Sequence, residues 1–177
     1  MRYIAFLRAI NVGGHVVKMD RLRKLFEGEG FTNVETFIAS GNVVFDGAGC
    51  GATLERTIES MLKDALGYDV ATFVRTGAEL RALAAHEPFS PAAIERATAF
   101  NVAFLSQPLD AKGKRALTAL KTRDDDFDVH GREIFWLSRV RQSESMISNA
   151  VFEKTLDQRS TVRGISTVRK MAEKYGA

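Results

Sequence analysis

Two short segments of the sequence carry residue types suited to holding a negative charge. The first is Asn11-Val12-Gly13-Gly14-His15, followed by Lys18. The second is Ala39-Ser40-Gly41-Asn42. Adjacent glycines can adopt the left-handed backbone angles that turn successive N–H groups toward one anion. A helix beginning just after them offers further unpaired N–H groups and the positive end of its dipole. Lys18 adds a mobile cation, and Arg8 a second. A phosphate or carboxylate is the guest this chemistry suits. The same residues admit a plainer reading. Gly13-Gly14 then only tightens a strand-to-helix turn, and Ser40-Gly41-Asn42 only closes a hairpin. The Gly-Lys-Ser/Thr spacing of a full phosphate loop is absent. Arg8 also has two readings, as a ligand contact or as a structural ion pair, because a guanidinium among apolar neighbours needs an acceptor or solvent.

Whether the two segments meet depends on the elements between them. Residues 3–10 are apolar apart from Arg8 and predict a buried strand. Residues 19–29 place Met19, Leu22, Leu25 and Phe26 on one helical face, and Gly28 and Gly30 stop that helix. Residues 34–38 and 43–46 are strand-like around the turn, 53–66 are helical, and 70–74 form a strand. The order β-α-β-β-α-β is the ferredoxin-like, split βαβ pattern. In it the first two strands run parallel with the third between them. The exit of the first strand and the turn between the second and third then share one end of the sheet.

The prolines at 88 and 91 interrupt a helical connector over 77–98. After it the theme returns: a strand at 99–105, a helix at 110–121, a hairpin of 126–129 with 133–137, and a helix at 144–156. A short edge strand at 161–163 and a helix from Ser166 to Tyr175 follow. The sequence therefore predicts an α+β protein of two ferredoxin-like halves with mostly antiparallel sheets, divided as 1–76, 77–98 and 99–177.

Composition narrows the function classes. The chain has 177 residues, 45% hydrophobic and 27% charged, which suits a globular core rather than disorder. The net charge of +3 is too small to mark a polyanion binder by itself. From Arg139 onward, however, eight bases stand against four acids. That basic end is either a nucleic-acid contact or a set of ordinary solvated helix faces. Arg163 and Thr167 lie there, at the start of the last helix, and would join the glycine-loop site if the halves packed end to end. Cys50 is the one cysteine, so no internal disulfide is expected. With no signal-peptide pattern and no membrane-length apolar run, a cytoplasmic protein without membrane partners is expected. His15, His86 and His130 lack metal-ligand spacing, and no metal or cofactor is called for. Asp124-Asp125-Asp126 and Asp128 lack the pattern of a calcium loop and read as a solvated turn. Phe6, Phe37 and Phe45 read as core rather than as a base-stacking platform.

The segments Leu7-Arg8-Ala9-Ile10-Asn11-Val12-Gly13-Gly14 and Ser40-Gly41-Asn42-Val43-Val44-Phe45 resemble a mostly bacterial family, domain of unknown function 1697. The resemblance spans essentially the whole chain. It includes Glu153-Lys154-Thr155-Leu156, and Thr161-Val162-Arg163 running into Thr167-Val168-Arg169-Lys170. Ala9 stands where the family usually has glycine, and Gly164-Ile165 where it usually has Asn-Trp. The resemblance implies two ferredoxin-like halves and no particular activity.

Three functional readings follow. The leading one is a protein that binds an anionic small molecule or nucleotide phosphate through Arg8, Asn11, Gly13, Gly14, His15, Lys18, Ser40, Gly41 and Asn42, with Arg163 and Thr167. The second is an enzyme acting on a phosphorylated metabolite at the same place, with His15 as the group titrating near neutrality. The third is a nucleic-acid-associated protein using the basic end. The oligomeric state is not legible.

Overall fold

A computed structural model of the chain describes residues 1–38 and 41–176. Its elements are β1 (Arg2–Leu7), α1 (Met19–Gly28), β2 (Thr32–Thr36), β3 (Asn42–Asp46), α2 (Gly51–Leu66), β4 (Thr72–Thr76), α3 (Gly77–Ala85), α4 (Pro91–Glu95), β5 (Ala99–Leu105), α5 (Ala111–Ala119), β6 (Asp125–His130), β7 (Glu133–Ser138), α6 (Asn149–Leu156), β8 (Ser160–Gly164) and α7 (Ile165–Tyr175). They divide into two compact units. One comprises Met1–Ala82 and the closing residues from Met171 onward; the other comprises Leu83–Lys170. The last turns of α7 thus count with the first unit, a membership that the expected segment 99–177 did not separate. Among the described residues no helix is long and apolar enough to cross a membrane.

Each unit holds a four-stranded antiparallel sheet, ordered β2-β3-β1-β4 in the first and β6-β7-β5-β8 in the second. The strand period of two sorts β1 by face. Tyr3, Ala5 and Leu7 enter the core with Leu22 and Phe26 of α1 and Ile58 and Leu62 of α2. In the second unit Ala103, Leu105, Phe127 and Ile134 do the same with Leu117 and Phe152. The Trp136 ring stacks on Phe152, 5.4 Å between centroids. Phe6 and Phe45 are fully buried, as expected of core residues, whereas Phe37 is only half-buried, its ring edge-on to Tyr175 at 5.8 Å.

The edge of the first sheet is closed by carboxylates. Thr72, Val74 and Thr76 of β4 donate their N–H groups to Glu59 (2.9 Å), Glu55 (2.8 Å) and Glu79 (2.8 Å). The spacing explains the fit. Four helical residues rise about 6 Å and two strand residues about 6.6 Å, so Glu55 and Glu59 on α2 track alternate strand amides. This removes a row of donors that would otherwise invite strand pairing. In the second unit Glu153 of α6 accepts from the Ser160 N–H at 2.9 Å. The two edges also share an arginine. Arg75 pairs with Ile4 across the sheet and donates to the Val74 carbonyl at 2.8 Å. Arg163 pairs with Val102 and donates to the Val162 carbonyl at 2.9 Å.

The first strand is tied at its start by Arg2. Its guanidinium meets Asp46 in a fork, Nε to Oδ1 at 2.9 Å and Nη2 to Oδ2 at 3.0 Å, and Asn33 donates to Oδ2 at 2.8 Å. The Arg2 bond first, and the Asn33 bond second, pull the Asp46 carboxyl down to about 2. A folded value below the unfolded one gives stability that is fully present above about pH 4 and lost as pH falls toward 2. The Asp46→Asn variant should lose about 1 kcal/mol at pH 7, after allowance for solvent screening. Its denaturant midpoint should then change less than that of the wild type between pH 4 and 2.

Several expected boundaries move. β1 ends at Leu7, not at residue 10, because Ala9 turns left-handed (φ 52°). β4 begins at Thr72 rather than 70. The helix expected over 144–156 begins only at Asn149, capped by the Ser148 hydroxyl, which accepts from the Val151 N–H. Its buried face is Phe152 and Leu156, one turn apart, whereas Met146 and Val151 of the expected stripe are exposed. Within 144–147, Ser145 instead bonds to a buried carboxylate. Asp125, expected in a solvated turn, is 2% exposed. It accepts from Trp136 Nε1 (2.9 Å), Ser145 Oγ (3.0 Å) and Thr122 Oγ1 (3.2 Å). A carboxylate with three donors tolerates burial that an unpaired one does not.

Candidate functional site

The exit of β1 is gripped on both sides. Leu7 donates its N–H to the Gly41 carbonyl at 2.8 Å, and Arg8 donates its own to the Ala71 carbonyl at 2.9 Å. Gly41 has φ 76° and sits tightly against β1: a Cβ there would lie 3.0 Å from Ile10 Cγ2 and 3.2 Å from the Leu7 carbonyl oxygen. The end of β1 and the turn between β2 and β3 therefore adjoin.

The loop from Arg8 to Lys18 is built from turns rather than regular structure. Val12 and His15 donate their N–H groups to the Ala9 and Val12 carbonyls, each at 3.4 Å. Gly13 and Gly14 are left-handed, at φ 70° and 84°, with no atom within 4 Å of where a Cβ would stand. Both glycines are exposed, and among the described residues none accepts from their N–H groups. Ile10 and Val17 plug the loop into the core. Lys18 occupies the N-cap of α1 in an extended conformation, makes no side-chain cap and is exposed. Its ammonium has no ion-pair partner among the described residues.

Ala9 holds a backbone angle that costs an L-residue about 1 kcal/mol, at the position where the resembling family usually has glycine. The Ala9→Gly variant should therefore raise the unfolding free energy, by about 0.5–1 kcal/mol. Chemical denaturation of both proteins checks this.

His15 is placed by a residue that sequence reasoning missed. Its ring stacks on Tyr68 at 3.8 Å between centroids, tilted by 23°. The Tyr68 hydroxyl donates to the Ile10 carbonyl at 3.0 Å. Tyr68 follows Gly67, the left-handed C-cap of α2, and a lone tyrosine after a helix stop carries no signal that it will return to a loop far earlier in the chain.

The other predicted residues divide by environment. Asn11 accepts the Val17 N–H on Oδ1 at 2.7 Å, so its oxygen closes the loop. Asn42, expected to face a ligand, is instead fully buried and donates to the Phe37 carbonyl at 3.0 Å. It fastens the hairpin and presents nothing to solvent. Arg8 is half-buried and has interactions of its own within the protein. Ser40 lies outside the described residues. Arg163 and Thr167 belong to the second unit. Burial pushes the Arg163 guanidinium down to about 10, still a cation at neutral pH. It donates to the Thr161 hydroxyl at 2.8 Å besides the Val162 carbonyl. Farther along the basic end, Lys174 is engaged by Glu35 at 3.0 Å. Among the described residues no three His, Cys, Asp or Glu side chains are placed to hold a metal ion.

The second unit has a cleft of about 460 Å³ between the start of α5 and the end of α6. Leu109 and Leu156 form its floor, and Asp110, Lys112, Lys154 and Asp157 line it with both signs of charge. Nothing in the local sequence of either segment announces it.

No curated protein matches the chain. Among solved structures, a conserved bacterial protein from Streptococcus pneumoniae, SP0830, is similar over 99% of this chain and 98% of its own, with a TM-score of 0.78 and 22% identity. At that identity the likeness speaks for the fold. The model of the DUF1697 family, described as proteins of unknown function, matches residues 1–135. The match includes both segments that carry the β1 exit and the β2–β3 turn and ends before the Gly164-Ile165 departure. With three quarters of its length inside that match, the chain belongs to the DUF1697 family.

Proposed function

We propose that this protein binds an anionic small molecule or nucleotide phosphate at the exit of β1. The observation that carries the reading is the pair Gly13-Gly14. Both are left-handed and exposed, with N–H groups that no described residue accepts, a few residues before the start of α1. Lys18 supplies the cation, and His15, seated on Tyr68, supplies a second polar group beside the loop. Asn42, buried in the hairpin, and Arg163, engaged along its own strand, contribute nothing to the site. The sheet orders β2-β3-β1-β4 and β6-β7-β5-β8, each with one strand-to-strand connection through a helix on either side of a hairpin, support reading both units as ferredoxin-like. The reading keeps the protein in the cytoplasm, in line with its single exposed cysteine.

A thermal-shift series with inorganic phosphate, nucleotides and phosphorylated metabolites tests the proposal. A ligand at about a hundredfold over its Kd should stabilise the wild type by about 2.7 kcal/mol. Gly14→Val and Lys18→Ala should each cut that shift. Shifts of equal size in the wild type and both variants would remove the site. A second reading, an enzyme on a phosphorylated metabolite, draws on the His15–Tyr68 stack. It gains if His15→Ala keeps binding and abolishes turnover. The nucleic-acid reading is weakened by the engagement of Lys174 with Glu35 and of Arg163 with its own strand.

A further inference from the structure

A second cleft in the unit Leu83–Lys170 has a different character. It holds about 320 Å³ where the start of α4 faces β5. Phe89, Ile94 and Phe100 form its walls, all half-buried, with the Phe89 and Phe100 rings edge to face at 5.6 Å. The local sequence explains why these apolar groups are left open. Pro91 starts α4 at its first turn, and the Ser90 hydroxyl caps it by accepting from the Ala93 N–H at 3.2 Å. A helix of only five residues is too short to lay a full apolar stripe over the sheet, so the rings of Phe89 and Phe100 stand at its edge. Three charged side chains ring the opening: Arg169 of α7, and Glu87 and Glu95. All three are exposed, and among the described residues none has an ion-pair partner.

An apolar pocket with a few charged groups at its rim is the usual form of a small-molecule site. Here the rim carries both signs. A guanidinium recognises a carboxylate, and carboxylates recognise an ammonium. Two phenylalanines of the same lining offer ring edges and faces to an apolar body. We infer that this cleft binds a small zwitterion with an apolar side chain, of the aromatic α-amino acid class, its carboxylate on Arg169, its ammonium on Glu87 and Glu95, and its ring against Phe89 and Phe100. The inference is independent of the anion site proposed for the other unit.

Isothermal titration of the full chain with L-phenylalanine, 3-phenylpropionate and phenethylamine tests it. L-phenylalanine should bind saturably. Each single-charge analogue should bind about tenfold or more weakly, because each leaves one sign of rim charge unanswered. Arg169→Met should weaken L-phenylalanine about tenfold to a hundredfold, and the double variant Glu87→Gln, Glu95→Gln should do the same. All of these positions are exposed, so the variants should keep the wild-type melting temperature, which is measured alongside. No saturation by L-phenylalanine up to about 10 mM would overturn the inference. So would an affinity unchanged in Arg169→Met, or phenethylamine binding as tightly as the amino acid.

Discussion

Arg75→Ala should lower the unfolding free energy by about 3–5 kcal/mol, the largest effect expected of any single substitution outside the apolar core. Arg75 is 1% exposed, which makes it one of the largest fully buried side chains of the protein. Its Nη1 donates to the Val74 carbonyl at 2.8 Å and lies 3.7 Å from Glu55 Oε1. That same Oε1 accepts the Val74 N–H at 2.8 Å. One carboxylate thus serves both the strand edge and the buried cation. Truncation to alanine removes the cation, leaves Glu55 short of a compensating charge and opens a void. Because both charges are out of water, neither is easily satisfied by solvent once the other is gone. Arg75→Met refills most of the volume without the charge and should cost less than alanine. Urea denaturation of the two variants separates the terms. Equal losses would mean that charge rather than volume dominates, and a loss under 1 kcal/mol in alanine would show the pair to be dispensable.

Gly41→Val should cost about 2–4 kcal/mol, from the left-handed angle and overpacking together. The angle is 76°, and the new Cβ would meet Ile10 at 3.0 Å and the Leu7 backbone at 3.2 Å. Backbone atoms of a central strand cannot give way as a flexible side chain would. The substitution should also pull the turn from β1 and disturb the Leu7-to-Gly41 hydrogen bond. Hydrogen exchange at the Leu7 amide reports this directly. Gly13→Ala, at φ 70° but with open space around it, carries the angle cost alone. It should therefore be milder by about 1–3 kcal/mol. If the two substitutions cost the same, the close approach at Gly41 is not what makes glycine necessary there.

The elements were legible where one physical signal dominated. Leu22 and Phe26 lie one helical turn apart, and they are the buried residues of α1. The apolar run Ala99–Leu105 is β5 from end to end. Local pattern misleads where tertiary partners override it. The run Met146-Ile147 looked like the start of a helix because it is apolar. Ser145 instead bonds to Asp125, and the helix waits for its Ser148 cap. Asp125 looked solvated because aspartates beside aspartates usually are. Its donors Trp136 and Ser145 come from another strand and another loop, 11 and 20 residues away.

For the candidate site, residue types alone pointed to bends at Gly13-Gly14 and at Gly41, whose left-handed angles glycine adopts most readily. The element order pointed to a sheet whose first strand ends beside the turn of the following hairpin, and the Leu7-to-Gly41 hydrogen bond joins the two. Glycine's missing Cβ and the strand and helix periods are local properties, so they survive without coordinates. Which groups remain available was decided only by the folded chain. Asn42 went inward to hold the hairpin, the Asn11 oxygen turned to Val17, and Tyr68 came back to seat His15. The carboxylates that close the β4 edge and the mixed charges around the Phe89–Phe100 cleft belong to the same class. Each depends on which side chains from distant segments reach one point, and a hydrogen bond or an ion pair is settled by that distance rather than by the residues' order.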